Sequence, residues 1–322
     1  MRNTEADDTA QLAALIKKRG SFSGFHSGLF LLFIFILIFL LIFSCVSSPL
    51  GGVSGRYSSP ETVQPNWQPF AFDENGSYII GLEYFSGKIS SPKIEFHSLR
   101  IDLSKPELQI VTSGGKNGNL SAKTSTFVRD NNLLAGINAL PFEPVSRKEG
   151  EPRTNVGLVI SNGIMVSPPH PEFDALVFFA DNTAAIVSQS QINSLENIKN
   201  AAGGFRRILE DKKPVSRVIN LNARHPRSAA GLGENGKILY LLVIDGRRPG
   251  SIGATEAETA LLLHSLGASD GINFDGGGSS SMALRYPDNK VRVINTPIHG
   301  NIPGRERAVA GCLGVGLVQK KN

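Results

Sequence analysis

The stretch Asp275-Gly276-Gly277-Gly278-Ser279-Ser280-Ser281 holds the residue types best suited to chemistry in this chain. It follows a short apolar run, Gly271-Ile272-Asn273-Phe274, that reads as the end of a buried strand, so the Asp275 carboxylate emerges at a sheet edge. Three glycines allow backbone that residues with a Cβ resist. Their N–H groups, with the hydroxyls of Ser279 and Ser280, can turn toward a bound anion. A carboxylate beside such a loop suits acid–base work at a phosphate or sugar oxygen. The plain alternative is a Gly/Ser turn capped by an aspartate.

Other segments share this logic. Ile238 to Ile244 is a second apolar strand, and it delivers Asp245 into the turn Gly246-Arg247-Arg248-Pro249-Gly250, where Arg247 is a further candidate for substrate binding. Capping the turn is the alternative for Asp245. Thr255 then opens a helix, with Glu258 at capping-box spacing and Gly267 as its stop. Strand, helix and strand predict a βαβ crossover that sets two Asp-bearing strand ends side by side. Upstream, Arg224-His225-Pro226-Arg227 is a basic turn, and Arg227 can present a fork of donors to a phosphodiester. Asn138 follows a buried run and could hold a sugar hydroxyl or a phosphoryl oxygen.

The elements around these residues are short strands. Ser161-Asn162-Gly163 and Asp181-Asn182-Thr183 each lie between apolar runs and predict hairpins, and a short helix is expected over 124–132. Hairpins with one crossover imply an α+β domain with a mixed, largely antiparallel sheet and a few flanking helices. About 245 residues behind residue 75 are enough for one large domain, expected over 76–322.

The order of the motifs resembles the phosphodiester glycosidase family. The resemblance rests on Leu99-Arg100-Ile101-Asp102-Leu103, Gly136-Ile137-Asn138, Arg224 to Ala229, Val243 to Arg247, Leu266-Gly267-Ala268, Asn273 to Ser280, Asn295-x-Pro297 and Glu306-Arg307-x-Val309-Ala310. It covers roughly residues 92–318. It implies an α+β fold and hydrolysis of a sugar-1-phosphodiester, with Asp275, Asp245, Arg227 and Asn138 as catalytic candidates. Gly276, Gly277, Gly278, Ser279, Ser280 and Arg247 would bind substrate. One departure stands out: the family usually has Asn-Gly-Gly-Phe-Phe where this chain reads Asn138-Ala139-Leu140-Pro141-Phe142. Any backbone that relied on positive φ there must be rearranged.

The N-terminus points to export. Leu29 to Phe43 contains only Leu, Ile and Phe, and Lys17-Lys18-Arg19 precedes it. Such a run suits a signal-peptide core or a short, tilted anchor. The ending Leu41-Ile42-Phe43-Ser44-Cys45 resembles a bacterial lipobox, which would make Cys45 the lipidated residue. Residues 1–45 are thus a lipoprotein-type signal peptide or an uncleaved anchor, and the Ser/Gly/Pro-rich residues 46–75 a tether. Cys312 is the only other cysteine, so no disulfide framework is expected, and a buried inert thiol is the reading for it. The net charge of +5 is spread along the chain without a basic stripe, which argues against a nucleic-acid partner. No Cys/His spacing suggests zinc, and no cofactor is required. A divalent cation could sit beside two aspartates and a diester, but no ligand cluster calls for one. The implied partners are a sugar-phosphodiester or glycan substrate and, through the N-terminus, a membrane. A non-catalytic module that binds envelope glycans or phosphosugars is the alternative.

Overall fold

The largest sheet of this computed structural model has six long strands: β1 (Leu82–Ile89), β2 (Ile94–Asp102), β3 (Arg206–Glu210), β4 (Arg227–Gly233), β5 (Ile238–Ile244) and β6 (Asp270–Asn273). They lie in the order β1-β2-β5-β4-β6-β3, with Gln68–Pro69 and Lys213–Pro214 as two-residue edges, and every pairing is antiparallel. The structure describes residues 63–73, 76–113, 120–145 and 148–319, within one compact unit that spans Ser59–Asn322. The Leu29–Phe43 run, Cys45 and the tether up to residue 62 lie outside the described residues.

β5 is apolar at every position because both of its faces are covered. Leu239, Leu241 and Val243 join Leu99 and Ile101 in the main core. Ile238, Tyr240, Leu242 and Ile244 pack instead with Leu262, Leu263 and Leu266. Those three leucines belong to α2 (Glu256–Leu266), which is longer than α1 (Thr124–Asp130) and the single turn Ser216–Ile219. Thr255 and Glu258 close the expected capping box on α2, and Gly267 ends the helix at φ 117°. Each fully buried Leu or Ile contributes about 1.5–3 kcal/mol, so covering both faces makes β5 the mechanical spine of the domain.

The α2 crossover joins β5 to β6, and these strands are parallel as expected but not adjacent. β4 lies between them, antiparallel to both. Its segment, Arg-Ser-Ala-Ala-Gly-Leu-Gly, has weak strand propensity, yet all seven residues are buried. Small side chains let the helix come close: a Cβ on Gly231 would sit 2.7 Å from Ala268 and 3.2 Å from Leu263. This topology brings the C-terminal ends of β5 and β6 and the N-terminal ends of β2, β3 and β4 to one end of the sheet.

Two five-stranded antiparallel sheets share the main core. One contains Leu108–Thr112, Ala135–Asn138, Met282–Arg285, Val291–Val293 and Cys312–Leu317; the other holds both predicted hairpins. At Asn162 and Gly163 φ is 50° and 77°, as a tight two-residue turn requires. The chain is thus α+β and largely antiparallel.

The expected tether ends too late. Val63 and Trp67 pack against the helix-side core, Ala71 is buried, and Gln68–Pro69 pairs with β1. Apolar residues spaced among prolines gave no periodic signal, although Trp67 stacks edge-on to Phe85 at 5.8 Å.

Candidate active site

The end of the sheet defined by β4 and β6 opens into a cleft of about 380 Å³ that contains Arg206, Arg227, Arg247 and Arg307 together with Gly276, Gly277 and Gly278. Arg206 begins β3 opposite Asn273, and Arg227 begins β4, so strand register sets both. Arg247 stands in the turn after β5 at φ 57° and makes no hydrogen bond or ion pair among the described residues. Arg307 donates from Nε to His299 Nδ1 at 3.0 Å and from Nη1 to Ser279 Oγ at 3.1 Å.

Asp275 follows β6 directly. Its amide donates to the Ala139 carbonyl at 2.8 Å, and its own carbonyl accepts from Asn138 Nδ2 at 2.6 Å. Burial pushes its carboxyl up to about 6, against the opposing pull of Ser279, Arg307 and the Gly276 amide. A carboxyl held there can exchange a proton near neutral pH. Burial likewise lowers Arg307, while the Asp275 charge raises it. His225 also lines the cleft, and burial beside Arg227 and Arg247 favours its neutral imidazole.

The amides of two of the three glycines are taken by protein. The Gly277 amide is taken by the Pro226 carbonyl at 2.8 Å, and the Gly276 amide by the Asp275 carboxylate. Their contribution is room. A Cβ on Gly276 would meet the Pro226 carbonyl at 2.8 Å, one on Gly277 would meet Arg247 at 3.0 Å, and one on Gly278 would meet Arg307 at 2.5 Å. Guanidinium groups are thus brought in over the loop as donors for an anion, beside the Gly278 amide, which donates to no acceptor among the described residues.

Of the residues expected to act together, Asn138, Arg227 and Asp275 meet at this end of the sheet, in different roles. Asn138 is fully buried. Its Oδ1 accepts from Ser228 Oγ at 2.6 Å and from the Ser281 amide at 3.1 Å, while Nδ2 holds Asp275. Fully buried and absent from the cleft's lining, Asn138 positions Asp275 from behind. Arg227 reaches the cleft, but its Nε and Nη2 donate to the Ala254 and Ala223 carbonyls at 2.9 and 3.1 Å. Asp245 is held by its neighbours. It is 1 % exposed, and its carboxylate accepts from Arg248 at 2.7 Å, Asn295 at 3.1 Å and the Thr296 amide at 2.9 Å. Like Asp275 it is absent from the cleft's own lining, but whereas Asp275 stands between the lining residues Phe274 and Gly276, Asp245 anchors the two turns around it. Ser279 bridges toward Arg307, and Ser280 is buried away from the cleft. Among the described residues no group of three His, Cys, Asp or Glu gathers at one point.

The departure after Asn138 is absorbed by packing. Ala139 and Leu140 are fully buried, and neither has positive φ. Leu140 fills the space over Gly311, where a Cβ would come within 2.2 Å of it. Cys312 is buried, and its thiol is pushed up to about 12, which leaves it inert.

Four cleft residues escaped the expectation: Arg206, Glu256, Asn273 and Arg307. Arg307 and Asn273 stood inside quoted motifs without an assigned role. Arg206 stands in a basic cluster around 206–213 that pointed to no site, and Glu256 had no local signal; strand pairing and the α2 start bring them here. A larger cavity of about 730 Å³ near Phe72, Asn132 and Tyr286 carries one arginine, Arg285. Its guanidinium is already held by Leu133, Asn289, Val128 and Arg129 oxygens. That cavity therefore offers no open cationic donor to an anion.

A domain that gathers four arginines and one carboxyl with a raised pKa at a single sheet end is built to hold an anion beside an acid–base group. The model of the phosphodiester glycosidase family (NAGPA) matches residues 131–316, and the chain belongs to that family. It is 26 % identical over 221 residues to the SPbeta prophage-derived uncharacterized protein YomE of Bacillus subtilis (strain 168). That match covers 64 % of this chain, which spans about 33 % of the relative's length. Among solved structures it is similar to the catalytic domain of zebrafish N-acetylglucosamine-1-phosphodiester α-N-acetylglucosaminidase, with TM-score 0.58, 19 % identity, and coverage of 80 % of this chain and 89 % of that one. A hypothetical protein from Synechocystis matches at TM-score 0.56 and 16 % identity, over 74 % of this chain and 62 % of that one. At these identities the structural matches show a common fold.

Proposed function

We propose that this protein is an exported, membrane-associated hydrolase that cleaves a sugar joined through its anomeric oxygen to the phosphate of a diester. Family membership and the zebrafish relative's printed activity support the reaction class. The observation that carries the reading is the placement of Asp275, its pKa raised to about 6, between the cleft residues Phe274 and Gly276 and within the field of Arg307. A diester's charge calls for guanidinium donors, and Arg247 and Arg307 supply them. Phosphate is a good leaving group and needs little acid assistance, so the carboxylate acts on the sugar side. There it activates water or stabilises positive charge on the ring. Asn138, buried behind it, fixes the carboxylate's position.

The deciding experiment incubates the full chain with a panel of sugar-1-phosphodiesters, envelope glycopolymers included, in ¹⁸O-labelled water. Release of free sugar and a phosphomonoester is expected, with the label in the sugar if the C–O bond breaks. Binding without cleavage of any diester would hand the site to the glycan- or phosphosugar-binding reading. Export rests on the Leu29–Phe43 run and Cys45. Cys45→Ser is expected to abolish labelling by radioactive fatty acid; a wild-type protein that takes up no lipid and keeps its N-terminus intact makes the run an uncleaved anchor.

A further inference from the structure

Two buried acceptor atoms in the cleft have no hydrogen-bond partner, one of them ion-paired with Arg206. Glu256 opens α2 and is 8 % exposed. Its Oε1 faces Arg227 Nη1 at 3.5 Å. Its Oε2 lies 3.7 Å from Arg206 Nε, beyond hydrogen-bond reach, and has no hydrogen-bond partner. Asn273 ends β6 and is 3 % exposed. Its Nδ2 donates to the Phe274 carbonyl at 3.1 Å, which fixes the amide's orientation and leaves Oδ1 without a partner. Both residues line the same cleft as the arginines. Buried polar atoms are nearly always satisfied, so a pair of orphaned acceptors in one cavity marks where a ligand's donors belong.

The chemistry of those donors is constrained. A cation is repelled by the surrounding arginines, and an ionised phosphate diester has no proton to donate. Hydroxyl and amide N–H groups on an uncharged ring remain. Phe205 also lines the cleft, half-buried and stacked edge-on to Phe173 at 5.4 Å, which fixes an apolar surface for a ring to lie against. We infer that Glu256 and Asn273 form the sugar subsite of the cleft, accepting hydrogen bonds from ring hydroxyl or acetamido groups, while Arg247 and Arg307 over the glycine loop hold the phosphate. This division rests on the proposed function, since it takes the ligand to be a sugar phosphate. It makes Glu256 a determinant of which sugar enters.

The test is calorimetric titration of the full chain, in mild detergent, with glucose, galactose, mannose and N-acetylglucosamine 1-phosphates, and with methyl phosphate as a probe that lacks the ring. At least one sugar phosphate should bind about tenfold or more tighter than methyl phosphate. Glu256→Gln, which turns one acceptor into a donor, should erase most of that difference and leave methyl phosphate unchanged. For the preferred sugar, deoxy analogues lacking single hydroxyls should lose affinity on wild-type protein at two ring positions, a result that needs no variant. Equal binding of sugar phosphates and methyl phosphate overturns the subsite. So does a variant that weakens both probes alike, because Glu256 would then merely hold Arg227. Ring selectivity without cleavage of any diester would retain the subsite and remove the proposed activity; cleavage without ring selectivity would do the reverse.

Discussion

Asp275 carries a prediction in two parts because its raised pKa acts on both stability and rate. The folded state holds this carboxyl at about 6, while an unfolded chain would have it near 3.8. Below both values the group is protonated in either state and exerts no effect. Between them the folded state keeps a proton that the unfolded chain has released, so stability falls as pH rises. Above about 6 the penalty is constant, on the order of 3 kcal/mol. Asp275→Asn is neutral throughout. It should therefore gain stability relative to wild type between pH 4 and pH 7, measured as denaturation midpoints. If the ionised carboxylate is the working form, wild-type kcat/KM rises with pH through about 6, and the variant falls by about 10²-fold with that limb gone. A variant of near-normal rate would reduce Asp275 to a turn cap. The importance of this residue could be read from its place between an apolar run and three glycines. The roles of Asn138 and Asp245 could not, because a strand-end polar residue looks the same in sequence whether it faces ligand or a neighbouring turn. Asp245 is settled by Arg248, Asn295 and Thr296, and Asn295 and Thr296 come from far along the chain.

At the scale of elements, the glycine loop after β6 admits its neighbours at close range, a role distinct from donating amides to an anion. Gly278 shows the difference most cleanly. It has no positive φ, so alanine there brings no backbone strain. Yet a Cβ would press on Arg307 Nη2 at 2.5 Å. Gly278→Ala should displace that guanidinium, weaken phosphate-ester binding severalfold, and leave the melting temperature within a few degrees of wild type. Unchanged affinity in a folded variant would mean that Arg307 does not touch the anion. The strands flanking this loop differ in how legible they were. β5 announces itself by uninterrupted apolar residues, and α2 by its capping box. β4 does not, because Ala and Gly are chosen there for the helix's close approach rather than for strand propensity. Overlooking β4 is what made the two aspartate-bearing strand ends look adjacent.

On the scale of the whole molecule, antiparallel pairing concentrates charge that the chain itself spreads thinly. The formal net charge is only +5 over 322 residues, and the short basic clusters around 206–213 and 224–227 do not by themselves reveal a shared cleft. Arg206, Arg227, Arg247 and Arg307 come from a strand start, a second strand start, a turn and a C-terminal segment, and they meet only because those ends coincide. The resulting field should draw an anionic diester in from solution, and an open cleft leaves that attraction exposed to salt. The Debye length shrinks from about 10 Å at 0.1 M salt to about 3 Å at 1 M. KM for a sugar-1-phosphodiester should therefore rise at least about threefold over that range. The buried Asp275 carboxyl is screened much less, so kcat should change little. Steady-state kinetics in sodium chloride checks both parameters, with potassium chloride as a control against a specific ion effect. A KM indifferent to salt would show that substrate is held by short contacts alone; a fall in kcat with constant KM would move the arginines' contribution from capture to the transition state.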